Sequence, residues 1–144
     1  MLTSTDIALV RASFAQVVPI QAVAADLFYD RLFEIAPKLR ELFPADLNQQ
    51  KKKLMQMLAT AVANLHQLHN ILPAVEALGR RHASYGVTDE HYAIVGEALL
   101  WTLEQGLGDD FTPPVKEAWT ETYRTVSVVM KNAAAATIAL EAAE

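Results

Sequence analysis

At 144 residues and 52% hydrophobic content, the chain has the length of one domain and enough apolar mass for a sizeable core. It has no cysteine, which excludes disulfides, thiolate nucleophiles, zinc knuckles and thioether-linked cofactors, so any cofactor is held noncovalently or through histidine. A formal net charge of -5 argues against partners with a phosphate backbone, and the run Lys51-Lys52-Lys53 is too short to reverse that.

Helical periodicity dominates, alternating strand patterns are absent, and an all-α single domain over 1-144 is expected. Thr3 to Asp6 offers capping residues for a first helix through Leu9, Val10 and Phe14, ending near Val18-Pro19, where proline removes a donor and restricts its predecessor. A second helix runs from about Gln21 to Ile35, its stripe of Ala22, Ala25, Tyr29, Leu32, Phe33 and Ala36 placing the Tyr29 phenol among small and apolar neighbours. Pro37 opens a short helical turn to Phe43, and Pro44 ends it. After a corner at Asp46 to Asn48, a long helix carries Gln50, Leu54, Met57, Leu58, Ala61, Val62 and Leu65 on one face, with Gln50 its polar member.

Asn70 and Pro73 separate this helix from a short one ending near Tyr85, with Gly86 placed as the residue beyond its end. Thr88 or Asp89 caps a helix that turns Tyr92, Val95, Leu99 and Leu103 inward and stops around Gly106 and Gly108. Thr112, Pro113 and Pro114 begin the last helix, whose stripe is Trp119, Tyr123, Val126 and Met130. Met1 to Asp6 lacks the positive region of a secretory signal. Asp26 and Arg31 interrupt the apolar run from Val17 to Phe33, and Lys131 and Glu141 flank the alanine-rich tail, so no stretch of ~20 apolar residues is expected. The expectation is a cytoplasmic protein without membrane or nucleic-acid partners.

His82 is the residue with most chemical potential. Spacings of three and four put it on one stripe with Val75 and Leu78, while Arg80 and Arg81 turn elsewhere. A lone imidazole on an apolar stripe is either a hydrogen-bonded core residue or a metal ligand facing a pocket. His66 and His69, three apart, lack a third ligand and read as surface residues near a helix end, and His91 reads as a cap-region or surface group. Carboxylate pairs, nucleophilic triads and phosphate-binding loops find no support.

The ordered set Phe28-Tyr29, Pro37, Leu42-Phe43, Gln50 to Leu58, Ile71-Leu72-Pro73-Ala74-Val75, His82, Gly86-Val87, His91-Tyr92 and Val95-Gly96 covers most of the chain. It resembles the globin family, and within it the single-domain bacterial globins related to the haem domain of flavohaemoglobins. The resemblance implies a globin fold of seven to eight helices around a haem pocket. It makes His82 the proximal ligand of a noncovalent haem b iron, and Phe43 a ring stacked on the porphyrin. Leu54, Leu58, Leu78, Val87 and Val95 can form the apolar slot that such a cofactor requires, although a pocket lining and a plain core share that composition. Arg81 and Lys53 are partners for the propionates, and Tyr92 supports His82.

On the gas side the resemblance places Tyr29 and Gln50 as donors to dioxygen, against a Tyr bonded to backbone and a Gln left outside the pocket. A departure from the flavohaemoglobin pattern is Ala134, which stands where that family has a glutamate linked through the tyrosine to the proximal histidine. The implied function is reversible binding of dioxygen, for storage or transport, at ferrous iron on His82. Nitric oxide and carbon monoxide are further ligands. Nitric oxide dioxygenation with a separate reductase, a haem-based sensor, and a haem-free helical interaction module are the alternatives, which leaves enzymatic activity open.

Overall fold

The computed structural model describes residues 2-143, with side chains described through residue 136, and all its regular structure is helical. Six α-helices, α1 (Ser4–Val17), α2 (Gln21–Ile35), α3 (Asn48–Ala63), α4 (Leu72–Ser84), α5 (Asp89–Leu107) and α6 (Pro113–Ala143), are joined by 3-10 segments at Val18–Ile20, Pro37–Leu42, Leu65–Asn70 and Gly108–Asp110.

Their bounds have local causes. Thr3 and Asp6 form a reciprocal capping box at the start of α1, and Thr88 does the same with His91 at the start of α5, the Thr88 amide donating to His91 Nδ1 at 3.1 Å. The α3 helix stops at Ala63, short of the Leu65 expected from periodicity, because polar side chains take its last carbonyls: Asn64 donates to Thr60, and Arg11 donates to Val62 and Ala63. Arg11 also reaches His66 Nδ1 at 2.6 Å, so His66 is a partner of α1. Arg40 fastens the irregular corner before α3 by donating to the carbonyls of Phe43, Pro44 and Ala45.

The main core is built from α1, α2, α5 and the first half of α6, centred on Val10, Phe14, Phe28, Leu32, Ala98, Leu103 and Trp119. Trp119, 1% exposed, donates its indole N–H to Ser13 Oγ at 2.8 Å and so joins α6 to α1 without an orphaned polar atom. A second, smaller cluster of Val75, Tyr92 and Met130 lies where α4 crosses α6. That crossing is close because residue 79 is glycine: a β-carbon there would stand 2.7 Å from Met130 Cα.

One expectation is corrected. The Ser4–Ile35 stretch as a whole is long and apolar enough, by length and composition, to cross a membrane. Here Pro19 divides it into two helices, whose Val10, Phe14, Val17, Ala24, Ala25, Phe28 and Leu32 are buried in the core.

Candidate functional site

An apolar cleft separates the two hydrophobic clusters. Phe28, Leu54, Leu58, Val95, Leu99 and Trp119 face it from the main core, and Leu78, Val87, Tyr92, Val126 and Met130 face it from the smaller cluster. His82 lines the same cleft. Leu54, Leu58, Leu78, Val87 and Val95 are only half-buried, so the chain leaves a row of aliphatic side chains incompletely covered inside its fold. Water contact of that kind costs about 25 cal/mol per Å2, which an apolar occupant would recover.

The imidazole is held in a defined state. His82 Nδ1 lies 2.8 Å from the Leu78 carbonyl oxygen, which can only accept, so Nδ1 carries the proton and Nε2 keeps its lone pair. Burial is the main cause that lowers the His82 pKa below its usual 6.5; nearby Arg81 lowers it further and the bond to Leu78 opposes both. Just beyond, Gly86 at φ 85° ends α4, with the Val87 amide donating to the His82 carbonyl at 3.1 Å, and this reversal brings Val87 to the cleft.

The lowered pKa gives a pH dependence whose sign follows directly. The unfolded chain binds a proton at His82 more readily than the folded one, so the stability contributed by the neutral imidazole is full above pH 6.5 and is lost as pH falls below it. Unfolding of the ligand-free protein at a series of pH values should show this loss, and His82→Gln should flatten it. An equally steep loss in the variant would assign the effect to other groups.

Tyr92 stacks beside His82, with ring centroids 6.3 Å apart and planes at 26°. Its hydroxyl is buried and has no hydrogen-bond partner among the described residues. Tyr123 donates to the Tyr92 carbonyl at 2.5 Å, and Gly96 makes room for it, since a β-carbon there would come within 2.8 Å of the Tyr123 ring. Burial raises the pKa of both phenols, which therefore stay neutral.

Of the residues singled out from sequence, Leu54, Leu58, Leu78, His82, Val87, Tyr92 and Val95 meet at the cleft. Tyr29, Gln50 and Phe43 form a neighbouring group. Tyr29 is 3% exposed, its ring centroid is 5.0 Å from Phe28 and 5.7 Å from Phe43, and the Gln50 side chain acts on its hydroxyl. Phe43 also packs edge-on against Phe33 at 5.5 Å. Lys53 and Arg81 are exposed and are not part of the cleft wall, and Ala134 is half-buried on α6. Met57, Ala61, Thr122 and Ser127 line the cleft without having been singled out as site residues. Met57 and Ala61 were legible as members of the α3 stripe, whereas the hydroxyls of Thr122 and Ser127, bonded to carbonyls of their own helix, gave no signal.

Among the described residues no group of three or more His, Cys, Asp or Glu side chains comes together to hold a metal ion. A metal bound to His82 must bring most of its ligands with it, in a carrier flat and apolar enough for the cleft.

A family model described as globin matches residues 26-130. The chain is 42% identical over 104 residues to the flavohaemoprotein of Bacillus subtilis (strain 168), covering 69% of this chain and 26% of that protein. It is 30% identical over 143 residues to neuroglobin-2 of Oncorhynchus mykiss, covering 90% of each. It thus spans about a quarter of the flavohaemoprotein but nearly the whole neuroglobin. Among solved structures, an engineered carbene transferase from a Rhodothermus marinus protein assigned as a nitric oxide dioxygenase superposes with a TM-score of 0.89, at 27% identity and over 99% of both chains.

Proposed function

The chain belongs to the globin family, and from that premise we propose that it is a b-type haem protein that binds dioxygen reversibly, in storage or transport, at an iron held by His82. The observation that carries this reading is the Nε2 lone pair of His82, fixed by the Leu78 bond and presented in an apolar cleft. The residues present fit the group: one neutral nitrogen donor for the iron, and Phe28, Leu54, Leu58, Leu78, Val87 and Val95 for the faces of a flat apolar ring. When bound, haem supplies a ferrous iron with a coordination position open to a diatomic gas.

Tyr29 and Gln50 are proposed as the donors to that gas. Burial raises the Tyr29 pKa, so the phenol stays protonated and able to donate, and the Gln50 amide that acts on it can keep the hydroxyl oriented. A hydrogen bond of this kind contributes roughly 1 to 2 kcal/mol. Tyr29→Phe is therefore expected to speed dioxygen dissociation about 5- to 30-fold, at about 1.4 kcal/mol per decade, in a flash-photolysis or stopped-flow measurement. An unchanged rate would remove Tyr29 from the gas-binding role and leave it a packing residue.

The direct test is the visible absorption spectrum of haem-reconstituted protein, first ferric, then reduced, then exposed to dioxygen. A five-coordinate ferrous spectrum that converts to a stable dioxygen-bound form supports the reading, and the absence of a Soret band overturns it. The resemblance to a flavohaemoprotein and to the Rhodothermus marinus protein favours nitric oxide dioxygenation as a second reading. That reaction joins one nitric oxide and one dioxygen into nitrate and leaves the iron ferric, so a reductase must return one electron. Sustained nitric oxide consumption with an added reductase would mark the protein as an enzyme, and a single turnover followed by arrest in the ferric state would mark it as a binder.

A further inference from the structure

We propose that Lys131 is a positioning residue that acts through Tyr92 to favour the ferrous over the ferric state of an iron held by His82; this rests on the haem reading above. Lys131, half-buried on α6, places its Nζ 5.4 Å from the centroid of the Tyr92 ring, and that ring stacks beside the His82 imidazole. Tyr92 thus contacts both a cation and the imidazole of His82. The Tyr92 ring is confined where it lies, because it is 7% exposed and its backbone carbonyl is bonded to Tyr123. Among the described residues its hydroxyl has no hydrogen-bond partner, so no local dipole paired with it there offsets the ammonium.

Lys131 forms no ion pair among the described residues. Asp89, in the first turn of α5, also acts on Tyr92, but it is exposed, so solvent and salt screen it. The Tyr92 ring in contact with both side chains is buried, and a unit charge beside buried matter is felt more strongly than across water. The ferric couple member carries one positive charge more than the ferrous one. A fixed cation therefore opposes loss of the electron, and no bond or proton on Lys131 changes.

The test is a redox titration of the haem-loaded full chain with dithionite and mediator dyes, reading the ferrous-to-ferric ratio at a fixed potential from the Soret band. Lys131→Ala and Lys131→Gln are expected to lower that ratio roughly three- to tenfold, the order expected for one partly desolvated charge. Lys131→Glu should lower it further, while Lys131→Arg should stay within about twofold of the wild type. If the neutral and acidic variants bind haem stoichiometrically and remain within about twofold of the wild type, the proposal is overturned. It is equally overturned if Lys131→Arg falls as far as Lys131→Ala, since packing rather than charge would then be responsible. A wild-type protein that takes up no haem overturns the underlying haem reading, and this inference with it.

Discussion

His82→Ala is expected to abolish stoichiometric haem binding while leaving the helical fold in place. His82 supplies the lone nitrogen donor in the cleft, and among the described residues no cluster of other ligands could replace it. What remains after substitution is apolar contact between the porphyrin and side chains such as Leu58 and Val95, which neither fixes the iron nor holds the group stoichiometrically. The cost to the fold is small, because the imidazole is half-buried and its bond to Leu78 contributes ~1 kcal/mol. Far-UV circular dichroism should therefore stay near wild type as the Soret band is lost, and millimolar imidazole should restore part of it by occupying the vacated space. A normal five-coordinate ferrous spectrum in His82→Ala would show that the iron is held elsewhere.

Gly79→Ala should cost at least ~2 kcal/mol of stability and accelerate haem loss. In an isolated helix the same change would stabilise by up to ~1 kcal/mol through propensity alone. Here the new methyl group would meet the backbone of Met130, including its Cα at 2.7 Å, and backbone atoms of a long helix cannot step aside as a flexible side chain can. The α4 and α6 helices must separate, and His82, three residues further along α4, moves with the displaced segment. Denaturant unfolding of the ligand-free protein measures the first effect, and transfer of haem to an excess of a high-affinity apoprotein measures the second. A stability equal to or above wild type would show that the crossing has slack.

Much of this was legible in the sequence, because punctuation and periodicity are local. Pro19, Pro37, Pro44, Pro73 and Pro113, with Gly86 and Gly108, mark the joints between helices, and the Val75, Leu78, His82 spacing puts the imidazole on the inner face of α4. Other features depend on where helices cross, which no single segment encodes. Nothing in the α6 pattern says that Met130 backbone would rest against Gly79, or that Tyr123 would reach the Tyr92 carbonyl. The placement of Phe43 is a similar case. The resemblance makes its ring a partner of the porphyrin, but no local pattern says that Arg40 would fasten the following corner or that Phe43 would also pack on Tyr29 and Phe33. The end of α3 escaped periodicity because Arg11, about fifty residues away, supplies the donors that terminate it.

The division of the interior into two clusters has a thermodynamic consequence. The larger cluster is a continuous core, but among the described residues the one beneath α4 has three buried members, Val75, Tyr92 and Met130. Such a region opens at a fraction of the global unfolding free energy, so amide hydrogens of α4 in the ligand-free protein should exchange well before those of α1 or α5. An occupant of the cleft touches both clusters at once and is absent from the opened form. It therefore converts two loosely coupled units into one cooperative whole, by an amount that grows with the logarithm of its concentration over its dissociation constant. Cofactor acquisition and the final annealing of the α4 segment are then a single event, and the ordering of one half of the molecule becomes a readout of whether the other component has arrived.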